Sequence, residues 1–302
     1  LLAGSERNEE KMKKLRYFLE YLVLKIALFF FGKLDVDRAS NAGGIIGRFL
    51  GPLLPHNREA LRNLQMALPD LPEGKRKLVI SRMWDNLGRI LGEYPHLEKI
   101  GRERTEIIGR HVLDLLLGSE KGAVLIAAHL ANWEMGPQAL KANGLDIYPV
   151  VRMPNNPWTR NIISKQRNTR EIPKSSKGAR QMVNCLKQNR RIAILIDQKY
   201  NEGETIPFFG KPAMTSPAFV QLAKKYDCPL IPMRLERIQG ANFRLTFYEP
   251  LELKDHKDRP LPDEQCILKA HKILEEWISE RPEQWIWLHR RWKSKSPELP
   301  SV

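Results

Sequence analysis

Two side chains in the stretch AHLANWEMG, His129 and Glu134, are of the types that general-base chemistry needs. An imidazole held by a carboxylate keeps one tautomer and takes a proton at its other nitrogen, and the carboxylate balances the charge that results. An alcohol activated in this way can attack an acyl carbon. No covalent nucleophile accompanies the pair: G-x-S-x-G is absent, and Cys185, Cys228 and Cys266 lie outside the stretch. Direct transfer is therefore expected rather than an acyl-enzyme. Spacing alone does not separate this reading from a buried histidine and an ordinary helix-start acid, since H-x-x-x-x-E also arises by chance.

Geometry narrows the choice. On one helix a five-residue step puts two side chains about 140° apart, out of mutual reach. The pair can meet only if His129 ends a strand and Glu134 opens a helix. The apolar run AVLIAA (Ala123 to Ala128) precedes His129, Asn132 is a candidate N-cap, and Pro137 suits a first helical turn. The loop between is expected to fold the Glu134 carboxylate back onto the imidazole.

The surrounding pattern supplies such junctions. Helical stretches without a strand pattern run to about residue 118, among them Arg58 to Ala67 and Gly74 to Glu93. Apolar runs of strand length follow: Ala123 to Ala128, Ile147 to Val151, Ile192 to Ile196, Leu230 to Leu235 and Phe243 to Tyr248. Between them lie helical candidates Trp133 to Asn143, Pro157 to Asn168, Lys177 to Gln188 and Pro217 to Tyr226, with Asp263 to Glu280 beyond. This alternation predicts an α/β fold, a largely parallel central sheet with flanking helices, over residues 33–302.

Residues 11–32, KMKKLRYFLEYLVLKIALFFFG, predict a membrane-associated N-terminal helix. Glu20 and Lys25 break the apolar stretch short of the roughly eighteen residues that a spanning helix needs, so an interfacial helix is the better match. Gly32-Lys33-Leu34-Asp35 follows, unlike a signal-peptide cleavage site. Net charge is +15, and Arg152 to Arg191 holds seven Arg and four Lys against Glu171 alone, which predicts an acidic partner. A nucleic acid is disfavoured, because Trp158 is the one aromatic in that stretch. Neither a metal nor a cofactor is expected, since the cysteines are scattered and Gly210-Lys211 is not a phosphate-binding loop.

The stretches LIAAHLANWEMG, VVRMPNNP, IPKSSKGARQMV, AILIDQKYNEGETIPFFGKPA and PEQWIWLHRRWK, in this order, resemble the late acyltransferases of bacterial lipid A biosynthesis, from about residue 10 to 295. These belong to the lysophospholipid acyltransferase superfamily with its H-x4-D/E motif. The resemblance implies transfer of a fatty acyl chain from acyl carrier protein to the hydroxyl of a 3-hydroxyacyl chain on a phosphorylated lipid A precursor. It also implies a site on the cytoplasmic face of the bacterial inner membrane. It assigns His129 and Glu134 as the catalytic dyad, Arg167 as a basic helper with Arg170 and Arg152 as alternatives, and Asp197 as the acid after a strand. An arginine there would bind a phosphate or stabilise an oxyanion. The family's N-terminal segment usually spans the membrane, and Glu20 and Lys25 depart from that pattern.

Two rival functions fit less well: a glycerophospholipid acyltransferase of the same superfamily, and a non-enzymatic binder of anionic lipid or nucleic acid. Phe208 and Phe209 are read either as acyl-channel lining or as a packing cluster. The tail with Trp285, Trp287, Arg290, Arg291 and Trp292 is read either as a membrane-interface segment or as a packed C-terminal strand.

Overall fold

The computed structural model describes residues 2–292. Five helices come first: α1 (Leu2–Lys33), α2 (Val36–Leu50), α3 (His56–Ala67), α4 (Glu73–Glu93) and α5 (Leu97–Glu103). Strands and helices then alternate through β1 (Thr105–Ile108), α6 (Arg110–Gly118), β2 (Ala123–Ala127), α7 (Met135–Ala142), β3 (Ile147–Val151), α8 (Pro157–Arg167), β4 (Ile172–Pro173), α9 (Ser176–Lys187) and β5 (Arg191–Leu195). A hairpin of β6 (Glu204–Phe208) and β7 (Lys211–Thr215) follows, then α10 (Ala218–Lys225), β8 (Leu230–Gln239), β9 (Asn242–Phe247) and α11 (Asp263–Glu280).

One sheet has the order β1-β9-β8-β2-β5-β3-β4 and is parallel except between β8 and β9. The expected α/β architecture is present. Its central strand, β2, is buried along its whole length, which is why it reads as an unbroken apolar run. Val124 and Ile126 enter one core with α10 and α11, while Ala123, Leu125 and Ala127 enter the other with α6 and α7. Successive side chains of a strand point to opposite faces, so five residues serve two cores.

Two expectations need correction. A strand does exist before residue 118: β1 pairs with β9 at the sheet edge, and its half-exposed Thr-Glu-Ile-Ile pattern lacks the apolar run that marks the inner strands. The segment around Phe208 and Phe209 also holds strands that the expected set omits. It is the β6–β7 hairpin, turning at Phe209 and Gly210, both with positive φ.

Among the described residues no helix is long and apolar enough to cross a membrane. Helix α1 docks on the domain through α8. Asn156 caps α8, and its amide donates to the Tyr17 carbonyl at 2.8 Å and to Glu20 at 3.0 Å, while the Trp158 ring meets Phe18 and Tyr21 edge-on. Glu20, which interrupts the apolar stretch, is thus a structural anchor, and Trp158 is engaged with α1. Phe29 and Phe30 of α1, and Ile45, Phe49 and Leu53 of α2 and the turn after it, are large apolar side chains left exposed. Helices α2 and α4 touch backbone to backbone: a Cβ on Gly43 would lie 2.3 Å from the Gly88 carbonyl oxygen.

Candidate active site

Four parallel strands deliver side chains to one edge of the sheet. His129 lies two residues beyond β2 and Asp197 two beyond β5. Ala127 and Leu195 are paired in register, so the two chains leave the sheet side by side. Arg152 directly follows β3 and Lys174 directly follows β4. The carboxyl ends of parallel strands are where open α/β sheets place reactive groups.

Asp197 holds His129 by two bonds. Its Oδ1 accepts from the imidazole Nδ1 at 2.8 Å, and its Oδ2 accepts from the His129 backbone N–H at 2.9 Å and from Trp285 Nε1 at 2.7 Å. Burial favours the neutral acid, but the imidazole and these three donors outweigh it and hold Asp197 down at about 2. With Nδ1–H donated to the carboxylate, Nε2 is the nitrogen left with a lone pair, and the Gln198 amide donates to it at 3.2 Å. The Trp133 ring lies edge-on to the imidazole at 5.0 Å.

Glu134 is engaged elsewhere. Its two oxygens accept from Arg167 Nη2 at 2.6 Å and Nε at 2.7 Å, a bidentate pair. The expected fold-back of Glu134 onto the imidazole is therefore corrected: Asp197 fills that place. The loop's exit explains the change, because Glu134 itself stands at the N-cap of α7 and Asn132, two residues earlier, is turned inward. Arg167 also donates Nη1 to Glu171 at 2.9 Å, and its backbone carbonyl accepts from Gln138. Burial opposes the charge on Arg167, but Glu134 and Glu171 reverse this and raise its pKa. Burial and the Glu134 charge likewise keep the neighbouring Tyr94 phenol protonated.

Arg167 thus has its guanidinium fork occupied by two carboxylates, which leaves it a holder of Glu134 rather than a free anion site. Arg170 turns away from His129 to Asp146 at 2.9 Å and the Tyr148 hydroxyl at 2.8 Å. Arg152 and Lys174 line the same cavity as His129, and among the described residues neither has a carboxylate within ion-pair distance. Partial desolvation and the charge of Arg152 lower the Lys174 ammonium. A phosphate would relieve that repulsion.

A buried polar network shapes the loop from His129 to Glu134. Ala131 adopts φ +50°, and its N–H donates to the Gln284 carbonyl while its own carbonyl accepts from Asn86, each at 2.9 Å. Asn132 donates to Glu93 at 2.9 Å and accepts from the Glu134 backbone N–H at 3.3 Å. Glu93 is fully buried and paired with Arg237, whose Nε donates to Asn86 at 2.9 Å. Helix α4 and strand β8 therefore brace the loop from beneath. These residues are distant in sequence and carry no local motif.

The cavity over this edge has a volume of about 790 Å³. His129, Glu134, Arg152, Arg167, Lys174, Gln198 and His289 provide its polar groups, and Val150, Met182, Ile194, Phe219 and Met233 are among its apolar walls. Such a cavity can take an aliphatic chain with a few polar contacts. Gln198 and His289 had not been anticipated, although Gln198 directly follows Asp197 at the strand end. Phe208 and Phe209 do not line it: Phe208 is buried in the hairpin, close to Trp285 and Trp292. The tail packs on the domain, with Trp285, Trp287 and Trp292 buried, but among its described residues it forms no strand beyond the single Leu130–Trp285 bridge. Among the described residues no three His, Cys, Asp or Glu side chains cluster as metal ligands would.

Residues 6–294 match the profile of the family described as bacterial lipid A biosynthesis acyltransferase. The chain is similar to the lipid A biosynthesis lauroyltransferase of Escherichia coli strain K12, at 24% identity over 253 residues covering 80% of each chain. It is also similar to the lipid A biosynthesis palmitoleoyltransferase of that strain, at 24% identity over 296 residues, 93% of this chain and 92% of the other. Identity to the strain's lipid A biosynthesis myristoyltransferase is 20% over 262 residues, 83% and 80% of the two chains. Among solved structures, a 1-acyl-sn-glycerophosphate acyltransferase from Thermotoga maritima aligns over 89% of this chain and 99% of its own, with a TM-score of 0.39 and 12% identity. The match over residues 6–294 places the chain in the bacterial lipid A biosynthesis acyltransferase family, and it is an acyltransferase of lipid A biosynthesis.

Proposed function

We propose that this enzyme transfers a fatty acyl chain from acyl carrier protein to the hydroxyl of a 3-hydroxyacyl chain on a phosphorylated lipid A precursor, at the cytoplasmic face of the inner membrane. His129 is the general base. The observation that carries this reading is the pairing of Nδ1 with a buried, ionised Asp197, which leaves the Nε2 lone pair at the cavity.

The acceptor hydroxyl takes the place of the Gln198 amide at Nε2 and gives its proton to that nitrogen as its oxygen bonds the thioester carbonyl carbon. The tetrahedral intermediate then expels the thiolate as the carbon–sulfur bond breaks, and the imidazolium returns the proton to sulfur. Asp197 stabilises the imidazolium in between. Glu134, held rigid by Arg167, forms the wall beside the acceptor, and Arg152 and Lys174 take its phosphate. The basic excess of Arg152 to Arg191 suits an acidic carrier protein. The exposed apolar side chains of α1, α2 and the turn after it suit the bilayer interface from which the lipid acceptor is drawn.

The test is an incubation of purified protein with a tetraacylated disaccharide precursor or a lysophospholipid, each with acyl carrier protein or coenzyme A thioesters, read by product mass. Transfer to the precursor from the carrier-protein thioester is expected. Transfer to the lysophospholipid alone would contradict the acceptor assignment.

A further inference from the structure

His289 lies in the tail after α11, far in sequence from the H-x4-E stretch, yet its ring lines the cavity that holds His129. The backbone N–H of Lys199 donates to its Nε2 at 2.7 Å. A backbone amide cannot accept in return, so Nε2 must carry the lone pair, and a neutral ring then carries its proton on Nδ1. Among the described residues Nδ1 has no partner. The ring is also fixed in place: its own backbone carbonyl accepts from the Asn63 amide at 2.8 Å, and Lys199 follows Asp197 and Gln198 directly out of β5. Burial, with the cations around it, lowers His289 to about 4, so the ring is uncharged when the enzyme works.

A fixed neutral N–H donor on a residue that lines the cavity of the general base has an evident use. The charge that His129 helps create appears on the thioester carbonyl oxygen, and a donor already oriented for it needs no reorganisation when the reaction occurs. Arg167 is occupied by Glu134 and Glu171 and cannot serve.

We propose that His289 Nδ1–H donates to the carbonyl oxygen of the acyl thioester and stabilises the oxyanion of the tetrahedral intermediate. This rests on the acyl-transfer reading above. His289 neither gains nor loses a proton in the step; its donor simply bonds more strongly as the oxygen becomes charged.

Two substitutions separate this role from a merely structural one. In His289→Gln the side-chain oxygen reaches the place of Nε2 and can still accept from Lys199, but nothing donates from the place of Nδ1. In His289→Asn the amide nitrogen takes the place of Nδ1, and the acceptor for Lys199 is lost. With a tetraacylated disaccharide precursor and lauroyl carrier-protein thioester, His289→Gln is expected to keep the wild-type melting temperature and KM while kcat falls about a hundredfold. His289→Asn is expected to melt lower yet turn over faster than His289→Gln. Normal kcat in His289→Gln, or a raised KM with kcat intact, would overturn the role while leaving the acyl-transfer reading in place. Absence of product with the wild-type enzyme would instead overturn that reading, and the role with it. The tautomer is checked separately by nitrogen-15 spectra of labelled histidine, where His289 should show a protonated Nδ1 and an accepting Nε2 at neutral pH; the reverse would also overturn the proposal.

Discussion

Asp197 accepts both the imidazole Nδ1–H and the backbone N–H of His129, so a single carboxylate fixes the tautomer, the ring and the chain that carries it. In Asp197→Asn an amide NH2 would face Nδ1 and drive the proton to Nε2, which removes the base. Turnover is expected to fall at least about a hundredfold. Stability should respond too. The folded pKa of Asp197, about 2, lies below its ordinary value of 3.8, so its stabilisation is complete above pH 4 and is lost as pH falls towards 2. The gap in melting temperature between wild type and Asp197→Asn should be constant near neutrality and close below pH 4. A gap independent of pH would count against this pairing.

Arg167 serves two carboxylates, Glu134 and Glu171, and all three side chains are largely buried. Removing the arginine strands both acids, whereas removing Glu134 leaves the Arg167–Glu171 pair. Denaturant unfolding should therefore show Arg167→Ala losing about 3 kcal/mol and Glu134→Ala clearly less. Arg167→Lys should not restore activity, because an ammonium cannot hold Glu134 bidentately. Equal losses in the two alanine variants would refute the shared fork.

How much of this could be read from the sequence follows from where each residue sits. The inner strands β2, β3, β5 and β8 announce themselves as apolar runs, buried on both faces in β2 and most of β8 and facing the cavity in part of β3 and β5. The edge strand β1 does not, and the β6–β7 hairpin hides its turn behind Phe209, a residue seldom found at positive φ. His129, Glu134, Arg167, Arg152 and Asp197 were all legible as candidates, and all line or directly adjoin the cavity, whereas Arg170 turns to Asp146. Their pairing was harder to read. That His129 meets Asp197 depends on the register of β2 with β5, for which the two strand ends offered a signal. That Glu134 turns to Arg167 depends on the positive φ of Ala131 and on the Asn132–Glu93 bond, which no local pattern announces.

The contact of α2 with α4 makes a separate prediction. A Cβ on Gly88 would come within 2.1 Å of the Gly43 carbonyl oxygen, backbone that cannot yield without separating the helices. Gly88→Leu should lower unfolding free energy by about 3 kcal/mol. Gly74, with open space where its Cβ would be, supplies the control: Gly74→Ala should leave stability unchanged or raise it by a few tenths of a kcal/mol. Chemical denaturation of the two variants checks this.

Phe49 and Leu53 are large apolar side chains that are 78% and 76% exposed. If this surface enters the bilayer interface, each should add about 1.5 kcal/mol to partitioning, roughly tenfold in affinity. Phe49→Glu/Leu53→Glu should weaken binding to phosphatidylglycerol vesicles about a hundredfold in flotation assays, with transfer to a short-chain soluble acceptor unchanged. Undiminished vesicle binding would rule this surface out.

His129 is proposed as the base that activates the acceptor hydroxyl. This role is tested most directly by His129→Gln, folded as judged by circular dichroism, assayed with a tetraacylated lipid A precursor and carrier-protein thioester under single-turnover conditions. Loss of product formation by at least about a thousandfold, with precursor binding retained, is the predicted result. Transfer at the wild-type rate would exclude His129 as the base.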